Sequence, residues 1–219
     1  GIIVTFVGSI PFFLGSPNLS FVDSFFESMS GITTTGATII TDLDSTPKSM
    51  LIWRAMLQWL GGIGIIVIAI AVFPVLRLGG MQLFKTEFSA RDDKVLPRTK
   101  TIALGIGSVY LLLTFVCFIF LVLAGMGLFD AFAHSMTIIA TGGFSTKNMS
   151  IGFYDSVYIE ITTMVFMLIS ALPFLLILQT FKGRILELLK NSQVQFFFVT
   201  ILTLVFVTTF WLQKYYEVS

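Results

Sequence analysis

Long stretches without a single charged residue are the feature that most limits how this chain can fold. Five of them are 21 to 29 residues long. An α-helix needs about 20 mainly apolar residues to cross the hydrocarbon core of a bilayer. The stretches are Gly1–Val22, Ala55–Leu76, Thr101–Phe129, Ile161–Phe181 and Asn191–Gln213. They predict an all-α transmembrane protein with about five spanning helices.

The composition excludes most soluble classes of protein. Only 11% of the residues are charged and 56% are hydrophobic, whereas a soluble domain carries about 25% charged residues. The single cysteine, Cys117, rules out an internal disulfide framework and a cysteine-rich metal site. The sequence holds no nucleophile–base–acid arrangement, no phosphate-binding loop and no metal-ligand spacing. We therefore expect neither an enzyme nor a tightly bound cofactor, and no nucleic-acid partner.

Helix-breaking residues shorten or interrupt three of the stretches. Pro11, Gly15 and Pro17 predict that the first helix ends near Leu14. Pro74 and Pro173 predict an end or a kink in the second and fourth stretches. The chain begins with neither a methionine nor a basic segment, so a signal peptide is a poor interpretation. We expect instead the tail of a longer helix and a longer parent protein.

Two apolar segments are too short to span the membrane. They are Phe21–Ile32 and Phe129–Ile139, and each lies between longer apolar stretches and ends in a tract rich in Thr and Gly. Apolar segments of about 10–14 residues are typical of re-entrant or interfacial helices. Non-helical backbone is tolerated at membrane depth only where protein buries it or where it lines a wet cavity. The two segments therefore predict re-entrant helices beside a pore.

The two short segments belong to an internal repeat with an offset of 107 residues. Seven pairs are identical: Asp23, Phe25, Ser28, Met29, Ile32, Thr34 and Gly36 match Asp130, Phe132, Ser135, Met136, Ile139, Thr141 and Gly143. Corresponding positions of repeats in a membrane chain often mark a transport site. Each copy is predicted to contain a spanning helix, a short helix, a Thr/Gly tract and a second spanning helix.

The Thr/Gly tracts, Thr33–Thr38 and Ala140–Ser145, contain no carboxylate. They offer backbone carbonyls and hydroxyls, and rings of such oxygens can replace the hydration shell of K⁺. Glycine permits backbone conformations in which consecutive carbonyls face one way. The carbonyl end of each short helix would add partial negative charge. One tract alone is more often a tight turn, and the second aligned copy is what favours an ion filter.

Basic residues concentrate in two loops, at 77–100 and 182–192, which hold nine of the 13 Lys and Arg residues. Four acidic residues accompany them, so these loops carry a net charge of +5. The rest of the chain has four basic and eight acidic residues, a net charge of −4. The positive-inside rule places both loops in the cytoplasm, and the Thr/Gly tracts would then face outward.

Capping-box spacing predicts where the short helices begin. For the first helix there are two alternatives, Ser20 with Asp23 or Ser24 with Glu27. For the second helix, the candidate cap is Asp130.

Charged side chains near the tracts carry further hypotheses. Arg54 lies just before the second spanning stretch, close in sequence to Asp42 and Asp44, and is expected to pair with an acid or to snorkel. Asp42, Asp44 and Asp155 either concentrate cations at the pore mouth or lie in a plain solvated loop.

Two residue types inside the apolar segments are expected to have structural roles. Gly61, Gly62 and Gly64 favour close packing of helices, with a flexible gating point as the alternative. His134, which aligns with Glu27 in the repeat, is expected to make ordinary hydrogen bonds rather than to bind a ligand.

Three motifs occur in order along the chain, with a fourth shorter one between them. They are SGITTTGAT at 30–38, LQWLGGIG at 57–64, GGMQL at 79–83 and ATGGFST at 140–146. With these motifs the sequence resembles the Trk/Ktr/HKT superfamily of cation transporters, and most closely its bacterial TrkH/KtrB-type pore subunits. The resemblance covers nearly the whole chain.

The resemblance implies four helix–pore helix–filter–helix units around one pore, of which this chain would hold two and the start of a third. The parts are a first unit at 1–76 (truncated first helix, pore helix 21–32, filter 33–38, second helix 51–76), a cytoplasmic loop at 77–100, a second unit at 101–181 (pore helix 129–139, filter 140–146), a cytoplasmic loop at 182–192 and the first helix of a third unit at 193–219. The other filters and the gate would lie outside this chain, which alone should not conduct.

The resemblance also implies which residues coordinate the transported ion through their carbonyls. They are Thr34, Thr35, Gly36, Ala37, Thr141, Gly142, Gly143 and Phe144. Gly36 and Gly143 stand where the family keeps one glycine of the potassium-channel signature. A glycine rather than a serine at the first of these places indicates K⁺.

The family pattern further implies location and partners. We expect a multi-pass protein of the bacterial inner membrane, a homodimer of pore subunits and a cytoplasmic nucleotide-binding ring of the TrkA/KtrA type. Two alternatives stay open. One is a Na⁺-selective or Na⁺-coupled member of the superfamily. The other is a non-conducting membrane scaffold or an intramembrane enzyme, whose tracts would be only re-entrant turns.

Overall fold

The computed structural model describes residues 2–77, 95–181 and 183–216, and these ranges are helical without a β-strand. The helices are α1 (Ile2–Leu14), α2 (Phe21–Ile32), α3 (Lys48–Arg77), α4 (Val95–Leu123), α5 (Leu128–Ile139), α6 (Val157–Ser170), α7 (Phe174–Phe181), α8 (Ile185–Leu189) and α9 (Ser192–Tyr216), with a 3-10 helix at Ser150–Tyr154. The prediction of an all-α protein is confirmed.

Two helical segments among the described residues are long and apolar enough to cross a membrane. They are Ala103–Leu123 in α4 and Ser192–Tyr215 in α9. Helices α6 and α7 pass the same test only as a pair, because the chain breaks between them. The break ends at Pro173, whose ring lacks an N–H donor and clashes with the preceding turn. The expected effect of Pro173 is confirmed, whereas α3 does not end at Pro74 but continues to Arg77. The described residues hold two or three candidate spans.

Two of the predicted loops differ from the sequence-based expectation where the structure describes them. Helix α4 begins at Val95, so residues 95–100 are helical rather than part of a loop. Helix α8 occupies the middle of the predicted loop at 182–192. Most of the first basic loop and the GGMQL motif at 79–83 lie outside the described residues.

The chain divides into two compact units, Gly1–Ala171 and Leu172–Ser219. The second contains α7, α8 and α9. The first contains α1 to α6 and all eight candidate ion-coordinating residues.

Helix α3 connects the two repeats of the first unit. It packs against α2 of the first repeat and against α5 of the second. Ala55 of α3 lies in a buried cluster with Ala133 and Met136 of α5. On the far side of α2, Ser28 Oγ donates to the carbonyl oxygen of Thr5 in α1 at 2.8 Å. Both short helices thus pack against the longer α3.

The start of α2 confirms one of the two capping alternatives. Ser20 is the N-cap, since its Oγ accepts from the backbone N–H of Asp23 at 3.2 Å. The same Oγ donates to Asp23 Oδ2 at 2.7 Å. The alternative of Ser24 with Glu27 is wrong, because both residues are buried inside α2.

The predicted cap of α5 is wrong. The N-cap position is Gly127, which makes no side-chain capping bond. Asp130 lies within the first turn, and its Oδ1 accepts from Thr146 Oγ1 at 2.6 Å. The carboxylate of Asp130 therefore binds the residue that follows the second tract and does not cap the N-terminus of α5.

Candidate functional site

The two Thr/Gly tracts begin with the same backbone hydrogen bonds. Helices α2 and α5 both have 12 residues, and their ends lie 107 positions apart. The bonds, all 2.9 to 3.1 Å long, run from Thr33 N to Met29 O, Thr34 N to Gly31 O and Thr35 N to Ser30 O in one copy, and from Ala140 N to Met136 O, Thr141 N to Ile138 O and Gly142 N to Thr137 O in the other. The sequence repeat is therefore also a repeat of backbone conformation.

Left-handed residues recur at equivalent places in both tracts. The φ angles are 55° at Thr34 and 52° at Thr141, and they are 79° at Gly36 and 82° at Gly143. A β-branched residue with positive φ is an outlier. Strained backbone of this kind clusters at functional sites, where the surroundings hold it in place. Alternating left-handed residues also let successive peptide groups face the same way.

The two tracts touch each other through their backbones. A Cβ atom at Gly36 would overlap the carbonyl oxygen of Gly142. Only glycine therefore fits at Gly36, because of both this contact and its positive φ. Gly143 has the same φ requirement, but open space surrounds its Cβ position in the part of the chain that is described.

A buried amide of α3 holds the second tract. Gln58 Nε2 donates to the carbonyl oxygen of Gly142 at 2.8 Å, and Gln58 Oε1 accepts from the backbone N–H of Phe144 at 3.1 Å. The Gln58 side chain is fully buried. Gln58 is neutral and so does not interrupt the charge-free stretch Ala55–Leu76, but a polar side chain within a spanning stretch is itself a signal of function.

Glu27 and His134 have equivalent roles at the far ends of the two tracts. The Glu27 carboxylate accepts from Thr38 Oγ1 at 2.9 and 3.1 Å and from the backbone N–H of Ile39 at 3.1 Å. His134 Nε2 lies 3.0 Å from the hydroxyl of Ser145, which is the repeat equivalent of Thr38. The other ring nitrogen lies 2.8 Å from a backbone carbonyl. His134 makes ordinary hydrogen bonds, as predicted.

Arg54 lies between the two tracts. Its Nε donates to Glu27 Oε1 at 2.7 Å, and its Nη1 donates to the carbonyl oxygen of Ser145 at 3.1 Å. The guanidinium carbon is 4.1 Å from the centre of the Phe144 ring. The predicted ion pair is confirmed, but its acid is Glu27 and not one of the aspartates nearest in sequence. The packing of α2 on α3 brings the two charges together.

Two other candidate ion-coordinating residues of the first tract, Thr35 and Ala37, also make short hydrogen bonds. The carbonyl oxygen of Ala37 accepts from Ser30 Oγ at 2.6 Å. The hydroxyls of Thr35 and Thr33 are 2.8 Å apart. A carbonyl oxygen has two lone pairs, so the bond to Ala37 leaves one free for a cation.

The loops that follow the tracts are joined by Asn148. Its Oδ1 accepts from the backbone N–H of Leu43 at 2.7 Å, and its Nδ2 donates to Asp42 Oδ1 at 3.3 Å. Hydrogen bonds from Ser45 and Asn148 lower the pKa of Asp42, which is therefore an anion at neutral pH. Asp44 Oδ1 lies 3.6 Å from Lys147 Nζ, and this ammonium group offsets the negative charge of Asp44.

The glycines of α3 differ in how closely neighbouring residues approach their Cβ positions. A Cβ at Gly61 would overlap the carbonyl oxygen of Ile32, and a Cβ at Gly62 would lie 2.8 Å from the Tyr110 hydroxyl. Outside its own helix backbone, Gly64 meets no atom of the described residues within 4 Å of its Cβ position. Close packing accounts for the first two glycines.

Comparison with known proteins identifies one family. The family model described as "TrkH: Cation transport protein" matches residues 1–214. The Trk system potassium uptake protein TrkH of Salmonella typhimurium is 44% identical over 217 residues, covering 96% of this chain and 45% of the relative. The protein of the same name from Escherichia coli K12 is 46% identical over 209 residues, covering 91% and 43%.

A solved structure matches as well. The crystal structure of the potassium transporter TrkH from Vibrio parahaemolyticus superposes with a TM-score of 0.81 at 41% sequence identity. The match covers 97% of this chain and 43% of that one. This chain thus spans less than half the length of the relatives it matches.

Proposed function

The chain belongs to the TrkH family of cation transport proteins, and we propose on this premise that it forms two of the ion-coordinating units of a potassium uptake pore. One observation carries the proposal. Thr34 and Gly36 in one tract, and Thr141 and Gly143 in the other, share the same left-handed backbone at positions related by the repeat. Two tracts of the same conformation that touch at Gly36 support an arrangement as neighbouring filters of one pore.

In this mechanism the carbonyl oxygens of Thr34–Ala37 and Thr141–Phe144 replace the water around K⁺. The C-terminal ends of α2 and α5 lie directly before the tracts and favour a cation. The hydrogen bonds from Gln58 and Ser30 hold the tract backbone in place before an ion arrives. The oxygens then need little rearrangement when the hydration shell is lost.

The proposed architecture follows the family pattern. Residues 1–76 and 101–181 form two helix–pore helix–filter–helix units, and residues 193–219 begin a third. With α1 counted as part of a span, and α3, α4, the pair α6 and α7, and α9 each as a whole one, the chain contributes to five crossings of the membrane. The basic segments 77–100 and 182–192, which include the start of α4 and helix α8, then lie in the cytoplasm of a bacterial cell, and the tracts open outward.

The partners are proposed from the family alone. The complete protein would form a homodimer of pore subunits and would dock a cytoplasmic nucleotide-binding ring of the TrkA/KtrA type on the basic loops. Arg184 is exposed within the second of these segments, and its Nη1 lies 3.5 Å from Glu187 Oε1. Alanine at Arg184 and Lys190 should weaken co-purification of the ring. Unchanged co-purification would count against this docking surface.

Uptake by the complete protein tests the function itself. A host that lacks its own K⁺ uptake should grow on low K⁺ and accumulate rubidium when the complete gene is expressed. Na⁺-dependent or Na⁺-preferring uptake would favour the Na⁺ alternative. No uptake of either ion, in a protein that reaches the membrane, would favour the scaffold.

A further inference from the structure

We propose that the buried Glu27–Arg54 pair sets the electrostatic potential at the two tracts and so determines the affinity for K⁺. This inference rests on the proposed function and deepens it. It assigns a role to two side chains that are not themselves candidate ion ligands.

The pair is shielded from solvent and touches both tracts. The side chains of Glu27 and Arg54 are 0% and 1% exposed. The Glu27 carboxylate accepts a hydrogen bond from the hydroxyl of Thr38, the last residue of the first tract. Arg54 donates to Ser145 and covers the ring of Phe144 in the second. A change in either charge therefore acts on both tracts without screening by water.

A cation held this close to a cation filter needs compensation. An uncompensated guanidinium would repel K⁺, and an uncompensated carboxylate would attract it. The 2.7 Å contact between Arg54 Nε and Glu27 Oε1 makes the pair neutral as a whole. Arg54 Nη2 is buried and has no hydrogen-bond partner among the described residues. The guanidinium is thus only partly satisfied, and its charge depends on Glu27 for balance.

A purely structural pair and an electrostatic pair predict different results. If the pair only holds α2 on α3, removal of either partner should impair the protein in the same way. If the pair sets the potential, the two removals should shift the KM for K⁺ in opposite directions. Because KM does not depend on the number of active molecules, the comparison tolerates variants that accumulate poorly.

The experiment measures the K⁺ concentration dependence of uptake by the complete protein. We expect Glu27→Gln to raise KM and Arg54→Gln to lower it, each by roughly tenfold, the scale of a unit charge acting over about 10 Å at an effective dielectric constant of about 20. Arg54→Lys and the double variant Glu27→Gln/Arg54→Gln should stay within about threefold of wild type, because both preserve electrical neutrality. The control is Lys214→Gln, which removes an exposed cation from the last turn of α9 and should leave KM unchanged.

The outcomes separate this inference from the function on which it rests. Shifts of both single variants in the same direction, or no shift in either, would overturn the electrostatic role while K⁺ uptake stands. If one single variant fails to fold, a tenfold shift of the KM for K⁺ in the double variant or in Arg54→Lys would equally overturn the electrostatic role. No saturable K⁺ uptake by the wild type would refute the proposed function and the inference together.

Discussion

The side-chain amide of Gln58 donates to the carbonyl oxygen of Gly142 at 2.8 Å. This bond joins the middle of α3, which follows the first tract in the chain, to the second tract, 84 residues further on. The first repeat therefore supports the filter candidate of the second, and the two tracts form one connected site.

Replacement of Gln58 should destabilise this connection. Gln58→Leu leaves the carbonyl of Gly142 and the N–H of Phe144 buried without their partner, at a cost of about 1–3 kcal/mol. Gln58→Glu should retain only the bond from Phe144. Thermal unfolding of the detergent-solubilised complete protein measures the effect, with Gln193→Leu, an exposed glutamine in α9, as the control. Equal stability of Gln58→Leu and wild type would contradict a supporting role.

The packing of α3 on α2 predicts a contrast between two glycines of one helix. Gly61→Ala forces a methyl group against the carbonyl oxygen of Ile32, and such overpacking costs about 1–3 kcal/mol. Gly64→Ala meets no side chain or neighbouring backbone among the described residues and should be neutral or stabilising by up to about 1 kcal/mol, since alanine favours helix. The same unfolding measurement compares them, and equal losses at the two positions would show that the contact is unimportant.

The glycines of the tracts predict a graded loss of function. Gly36→Ser combines an unfavourable positive φ with overlap on Gly142, whereas Gly143→Ser has only the φ penalty of about 1–3 kcal/mol. K⁺ uptake should fall by at least roughly tenfold in Gly36→Ser and by less in Gly143→Ser, in line with these strain energies. The preference for K⁺ over Na⁺ should weaken in both variants. Unchanged uptake and preference in both would refute the filter assignment.

The loop aspartate predicts a dependence of stability on pH. Because its hydrogen bonds lower the pKa of Asp42, the carboxylate stabilises the folded state above the unfolded pKa of about 3.9. This contribution is lost as pH falls below that value towards the folded-state pKa. Asp42→Asn should therefore lower the melting temperature at pH 7 and have progressively less effect at acid pH below about 4. An equal loss of melting temperature at pH 7 and below about pH 4 would contradict a role for the ionised Asp42 carboxylate in stability.

The repeat and the short helices could be predicted from the sequence because both depend on local signals. The identity of Met29 with Met136, and of Gly36 with Gly143, needs only an alignment of the chain with itself. The helix bounds follow from apolar length and from the residues that end a helix. The structure has short helices where the alignment placed them, at Phe21–Ile32 and Leu128–Ile139.

The partners of buried polar groups could not be predicted in the same way. Arg54 is 27 residues from Glu27 along the chain, so sequence proximity pointed to Asp42 and Asp44 instead. The alignment of Glu27 with His134 in the repeat does carry information about their hydrogen-bond partners. Each is followed 11 residues later by a hydroxyl residue, which indicates a shared anchor for the end of the tract.

The proposed function depends on coordination of the transported ion by carbonyl oxygens of the two tracts. Anomalous diffraction from crystals of the complete protein soaked in a rubidium or thallium salt tests this coordination directly. We expect anomalous density within about 3 Å of carbonyl oxygens from both Thr34–Ala37 and Thr141–Phe144, the range of direct coordination. Density elsewhere along the pore, with none at these oxygens in a protein that still transports the ion, would contradict it.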